Sequence, residues 1–245
     1  MNKPVIYLLP TPLGESIHPF FYYNEYKECI IQTNNFFVES IRKAKSFIKK
    51  ILKHNINLDE KNFYEYNEHT KEKEIYEYIK IVSEARINAI MVEAGFPCIA
   101  DPGHKLILLC HLNDITVKPF FGFSGITLAI SCSGLPAQKF KFLGYLPKKE
   151  NELIKTIKKI EQDSRKENIT IAFMETPYRT IKLFKILLST LNPDTYLSIS
   201  SNLTQNNELI KTYPVKYWIK KNLINIINND PSIFVIYAPQ VFNFL

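Results

Sequence analysis

AIMVEAGFPCIADPG, residues 89–103, sets an apolar run of strand length directly against a loop holding two glycines and two prolines. The helical pattern from His104 to Leu112 follows, so the stretch reads as a strand–loop–helix unit of an α/β fold. Glycine is otherwise scarce, 7 in 245 residues, and six of the seven fall from Gly95 to Gly144. Average usage is about 7%, so the chain keeps glycine where the backbone needs positive φ or a ligand must approach closely. The uncharged AGFPCI part offers main-chain N–H and C=O groups suited to a zwitterionic or nucleoside ligand. It lacks the Lys-Ser/Thr of a phosphate loop, which argues against a nucleoside triphosphate. Asp101, ahead of Pro102, reads first as an N-cap for the helix that follows.

Working outward, short apolar runs alternate with longer amphipathic stretches. Strands are expected at VIYLL (5–9), FFV (36–38), FYEY (63–66), AIMVE (89–93) and DITVKPF (114–120), with helices at 40–52, 71–84 and 104–112. In the helix from Ser40, the residues Ile41, Ala44, Phe47, Ile48 and Ile51 form one apolar face, and its arginine and lysines point elsewhere. A small-residue helix, GITLAISCSG (125–134), opens a second set. There, strands are expected at 141–146, 169–175, 196–200, 208–214 and 232–238, and helices at 149–163, 178–191 and 215–228. The fold class is therefore α/β, with two α/β domains, 1–119 and 120–245, hinged near Phe120–Gly122.

The counts of 31 basic and 24 acidic residues give a net charge of +7. That excess favours a polyanionic partner, although a composition rich in lysine, asparagine and isoleucine accounts for it equally. Cys29, Cys98, Cys110 and Cys132 show no Cys-x-x-Cys spacing, so no metal is expected. No secretory leader is read at the start, and no apolar run nears the roughly 20 residues that span a bilayer. The expectation is a soluble, cytoplasmic protein without membrane contact.

Chemistry-bearing residues gather at strand ends. PTPLGES (10–16) is a rigid loop where α/β sheets place ligands, and GFSG (122–125) offers Ser124 as a helix cap or ligand contact. In METPYR (174–179), Glu175 reads as a general base, a hydroxyl-recognising carboxylate or a helix-start charge. Arg179 either pairs with it or grips a phosphate. Glu39 ends a strand ahead of the basic helix. His69, in Asn67-Glu68-His69-Thr70, is the best placed of the five histidines for proton transfer. No Ser-His-Asp or metal-ligand spacing occurs, so hydrolase and metalloenzyme readings are weak. The aromatic run Phe20–Tyr23 is either core and dimer contact or a surface for base stacking.

Taken in order, PTPLGES, VEAGFPCIADPG, GFSG, SGLPAQKFKFLGYLPKK and FMETPYR resemble the ribosomal RNA small-subunit methyltransferase I group of the tetrapyrrole methylase superfamily. The resemblance runs from Pro4 to about Tyr237. It implies a class III methyltransferase, two α/β domains with a cofactor cleft between them, and usually a homodimer. The cofactor would be S-adenosyl-L-methionine, held at Pro12, Gly14, Ala94, Gly95, Pro97, Ile99, Ser124 and Gly125, and from the second half at Met174, Asn202 and Pro231. The substrate would be ribosomal RNA or the small ribosomal subunit, methylated on the 2′-hydroxyl of a cytidine. Glu39, His69 and Glu175 are then the candidate catalytic bases, and Arg42 and Arg179 the candidate substrate-binding residues. A tetrapyrrole methyltransferase and a non-catalytic S-adenosylmethionine- or RNA-binding relative are the alternatives.

The chain departs from the group at several positions. Glu39-Ser40-Ile41-Arg42 stands where the group has Glu-Asp-Thr-Arg, Glu93 where it has Asp, and Phe123 where it has Pro. Asn67-Glu68-His69-Thr70 stands for His-Glu-His-Asn. Substrate-facing motifs depart further than cofactor-facing ones.

Overall fold

Pro10 and Pro12 deny two N–H donors to any ladder, and the apolar strand β1, Val5–Leu9, ends just before them. The computed structural model describes residues 3–53 and 56–240, with only the backbone of Phe20. It divides into two compact units, Met1–Ser124 and Gly125–Leu245.

In the first unit β1 is followed by α1 (Asn24–Gln32), β2 (Asn35–Val38), α2 (Ile41–Ile51), β3 (Asn62–Glu65) and α3 (Glu72–Glu84). Then come β4 (Ile87–Met91), α4 (His104–Leu112) and β5 (Thr116–Pro119). The five strands pair in parallel in the order β3-β2-β4-β1-β5. Such a sheet must be covered on both faces. Tyr26 and Ile30 of α1 and Ala44, Ile48 and Ile51 of α2 cover one face, over Phe36, Val38 and Leu9. Ile75, Ile79 and Val82 of α3 and Leu106 and Cys110 of α4 cover the other, over Ile6, Phe37 and Ile90. Each buried Ile, Leu, Val or Phe among them contributes about 1.5–3 kcal/mol. Asn35 and Asn88 are bridged by a 2.9 Å side-chain hydrogen bond, and Asn62 donates to Asn35 at 3.0 Å. These amides fix the register of β2, β3 and β4 at their N-terminal ends.

Helix α1 was not among the elements read from the sequence. It forms because Tyr26, Cys29 and Ile30 share one buried face. The same packing takes Phe21 out of solvent entirely, so this ring of the Phe20–Tyr23 run is core, while the Phe20 side chain lies outside the described residues. Phe120–Gly122 sits within the first unit. A Cβ on Gly122 would meet the Pro10 ring at 2.1 Å.

The second unit runs α5 (Gly125–Cys132), β6 (Phe140–Tyr145), α6 (Glu150–Glu167), β7 (Thr170–Glu175) and α7 (Pro177–Thr190). It closes with β8 (Tyr196–Ser201), β9 (Leu209–Pro214), α8 (Val215–Lys220) and β10 (Ser232–Tyr237). Its order is β6-β7-β10-β8-β9, with β6 and β7 parallel and the other pairs antiparallel. Leu153, Ile157, Leu183, Phe184 and Trp218 of the helices pack on Phe173, Leu197 and Phe234 of the sheet. The helix expected over 215–228 is broken. Asn222 takes the left-handed conformation at φ 47°, and a 3₁₀ turn over Leu223–Ile226 follows. Among the described residues no helix is long and apolar enough to cross a membrane. None of their His, Cys, Asp and Glu clusters has a geometry that could hold a metal ion.

Candidate active site

At the C-terminal ends of β1 and β4 two loops are fastened to each other. Thr11 N–H donates to Gly95 O at 2.8 Å and Gly95 N–H returns a bond to Thr11 O at 3.1 Å. The Thr11 hydroxyl also donates to Val92 O at 3.0 Å, and the Tyr26 hydroxyl donates to Pro10 O at 2.6 Å. Gly95 lies at φ 91° with Leu13 Cδ2 3.2 Å from where a Cβ would stand. The positive φ strains any residue with a side chain here, and Leu13 would also have to give way by a few tenths of an ångström.

Beside these loops lies a cavity of about 330 Å³, lined among others by Pro12, Gly14, Glu39, Lys43, Glu93 and Ala94. It sits at the carboxyl ends of β1, β2 and β4, where parallel sheets bind ligands. Its size suits a small molecule or one nucleoside. Pro12, Gly95 and Pro97 are buried, whereas Gly14, Ala94 and Ile99 are exposed. Ser124 ends the first unit and Gly125 opens α5 of the second.

Glu39 is half-buried, and its Oε2 accepts the Glu93 main-chain N–H at 2.5 Å. Burial raises its pKa above the ordinary carboxylate value and the charges of Glu93 and Glu68 add to the rise, while the Glu93 N–H and the Lys43 charge oppose it. The Lys43 ammonium turns to the Glu93 carboxylate, in a close ion pair. Asp101 is the third acid of this edge. Burial pushes its carboxyl up to about 7, and the charges of Glu39 and Glu93 push the same way. Its reading as an N-cap fails. Gly103, at φ 139°, caps α4 with no side-chain bond. Cys98 Sγ lies 2.5 Å from where a Gly103 Cβ would stand, so the loop turns tightly and places the helix cap two residues after Asp101. Cys98 and Ala100 take φ of 68° and 64° to make that turn.

His69 is exposed, 3.7 Å from the Glu68 carboxylate. Arg42 is exposed at the start of α2, next to Lys43, which lines the cavity.

In the second unit, antiparallel pairing sets Ser232 opposite both Glu175 and Ser201, and Ile233 opposite Met174. Met174, Asn202 and Pro231 are therefore brought to one end of these inner strands. Asn202 lies at φ 49°, its N–H donating to Pro231 O at 3.4 Å. Its side-chain Nδ2 is buried without a partner. A buried amide left so is costly, and it stands ready for an acceptor from a ligand. Glu175 is sealed differently. Its side chain has no exposure, and its Oε1 accepts the Thr176 N–H at 2.8 Å. The Arg179 guanidinium lies 3.0 Å from Oε2, without hydrogen-bond alignment, and donates to Pro147 O at 3.2 Å.

Sequence reasoning passed over Glu93, Asp101 and Lys50 as site residues. Glu93 ends AIMVE as Glu39 ends its own strand, which was the available signal. Lys50 carried none, because its place on the cavity wall depends on how α2 is rotated.

The family model described as Tetrapyrrole (Corrin/Porphyrin) Methylases matches residues 29–216. The chain is similar to the ribosomal RNA small subunit methyltransferase I of Buchnera aphidicola subsp. Baizongia pistaciae, 29% identical over 221 residues, 89% of this chain and 71% of that protein. The protein of the same name from Vibrio cholerae is 28% identical over 214 residues, 87% of this chain and 70% of its own. Among solved structures, uroporphyrin-III C-methyltransferase from Thermus thermophilus complexed with S-adenosylhomocysteine superposes with a TM-score of 0.53. It shares 11% identity and covers 96% of this chain and 97% of that one.

Proposed function

Because this chain belongs to the tetrapyrrole (corrin/porphyrin) methylase family, and is a methyltransferase of that kind, we propose that it methylates a ribose 2′-hydroxyl of small-subunit ribosomal RNA. The sequence relatives named for that RNA support the substrate. The observation that carries the chemistry is the cavity in the first unit, with the half-buried Glu39 on its wall.

S-adenosylmethionine supplies an activated methyl group when bound. The residues present suit such a ligand. In the first unit the loops at Thr11 and Gly95 are preformed; taken by itself, the second unit carries an unpaired amide donor at Asn202, at the strand end that also holds Met174 and Pro231. Pro12, Gly14, Ala94, Gly95, Pro97, Ile99, Ser124 and Gly125 are the further cofactor contacts in this reading. Glu39 accepts the proton of the attacking hydroxyl. Its raised pKa moves it toward the working pH, where a general base is most effective. The Glu93 N–H fixes the direction of its carboxylate. Glu175, without exposed surface, is left to hold Arg179 and the start of α7.

Ser40, which replaces a carboxylate of the group, keeps a local task. Its hydroxyl accepts the Lys43 N–H at 3.4 Å as the N-cap of α2. Aspartate fills that position equally well, so the replacement spares the helix. Three other carboxylates, Glu39, Glu93 and Asp101, remain at this edge. This favours a working enzyme over a non-catalytic relative.

The test is incorporation of labelled methyl groups from S-adenosylmethionine into small ribosomal subunits. Glu39→Gln is expected to lower the rate about 10²–10⁴-fold, with binding of S-adenosylhomocysteine by calorimetry unchanged. Full activity in Glu39→Gln would remove Glu39 as the base, and no incorporation by the unaltered protein would remove the substrate. A homodimer and a cytoplasmic location belong to the same reading, and light scattering on the purified protein tests the first.

A further inference from the structure

We infer that Lys50, with Ser46, forms a phosphate seat on the α2 wall of the cavity, holding the phosphodiester beside the ribose that faces Glu39. The inference rests on the RNA reading above and extends it to the orientation of the substrate.

The five basic side chains of α2 meet different surroundings. Lys43 lines the cavity but is tied to the Glu93 carboxylate. Lys45 sits with its ammonium 5.0 Å from the centre of the Phe63 ring. Arg42 and Lys49 are exposed and do not line the cavity. Lys50 does line it, as does Ser46. Among the described residues no carboxylate pairs with Lys50.

Positions 43, 46 and 50 follow the i, i+3, i+7 spacing of one helix face. Seven residues separate Lys43 from Lys50, about 10 Å of helix rise. Along this wall α2 therefore runs from Lys43, which is paired with Glu93 at the acidic end, past Ser46 and Phe47 to the Lys50 cation. A nucleotide has the same polarity, a hydroxyl to be deprotonated at one end and an anionic phosphodiester at the other. Lysine in the last turn also suits the helix dipole, but Lys49 serves that purpose as well. Lys49 is therefore the control.

Lys50→Ala and Lys49→Ala remove the same charge from adjacent positions. Binding of a fluorescein-labelled single-stranded RNA, measured by anisotropy across a salt series, separates them. Lys50→Ala is expected to weaken binding about tenfold and to reduce the slope of log affinity against log salt by about one. Lys49→Ala is expected to change binding less than about twofold, and Lys50→Arg to retain it. Calorimetry with S-adenosylhomocysteine should give wild-type affinity for all three, which shows that they are folded. Equal losses at the two positions, or no loss at Lys50, would overturn the seat while leaving the RNA reading intact. Failure of the unaltered protein to bind RNA would remove that reading and the seat with it.

Discussion

ESIRK (39–43) in the first unit and ETPYR (175–179) in the second are the same arrangement placed twice. In each, a glutamate stands at a strand's last residue or just past it, a hydroxyl residue follows, and a basic residue stands four positions on in the next helix. The outcomes differ. Arg179 returns to Glu175 at 3.0 Å, and the carboxylate has no exposed surface. Lys43 turns away to Glu93, and Glu39 is left half-buried with a raised pKa. What differs is the neighbouring strand: β4 brings a second glutamate to its end, whereas β10 brings Ser232 opposite Glu175. A competing acid on the next strand converts a closed ion pair into an open, proton-hungry edge.

The largest test of that contrast is Arg179→Met. It leaves the Glu175 carboxylate buried and uncompensated, and is expected to cost about 3–5 kcal/mol in urea unfolding. A cost below about 1 kcal/mol would mean that the pair is not sealed. Next is Ser40→Ala, which removes the N-cap of α2 and should cost about 1 kcal/mol, while Ser40→Asp should cost only a few tenths. Thermal melts measure both.

The acidic edge predicts a pH dependence of the opposite sign to an ion pair. Folded Asp101 holds its proton up to about 7, whereas the unfolded chain releases it near 4. The folded state therefore binds the extra proton between these values, and stability falls as pH rises through that window. Asp101→Asn should match the wild type at pH 4 and exceed it by about 1 kcal/mol at pH 8, after allowance for solvent screening. An equal difference at both pH values would show that the charge of Asp101 is not responsible. The smallest effect belongs to Lys43→Met, the counterpart of Arg179→Met. Its exposed pair with Glu93 is worth under about 1 kcal/mol, and that difference should shrink in salt.

Much of the fold was readable because strands here end abruptly. VIYLL stops at Pro10, and AIMVE stops at a loop where Gly95 needs positive φ. Helix α1 escaped because its buried Tyr26, Cys29 and Ile30 are interleaved with charged and polar residues over only nine positions. The break at Asn222 escaped because a left-handed asparagine leaves no mark in an apolar period. At the site, Glu39 announced itself as a charge at a strand end. That Glu93 would pin it depends on β2 and β4 being neighbours with Val38 opposite Met91, and strand order is not written in either segment. The N-cap reading of Asp101 followed from local propensity and was overridden by Gly103 two residues later.

The mutual Thr11–Gly95 hydrogen bonds make the mouth of the first unit a rigid frame rather than a pair of free loops. Both amides should be among the slowest of any loop to exchange with deuterium. A mouth already locked before anything arrives surrenders little freedom on binding. Recognition there then works as selection by shape, with arriving molecules conforming to the protein.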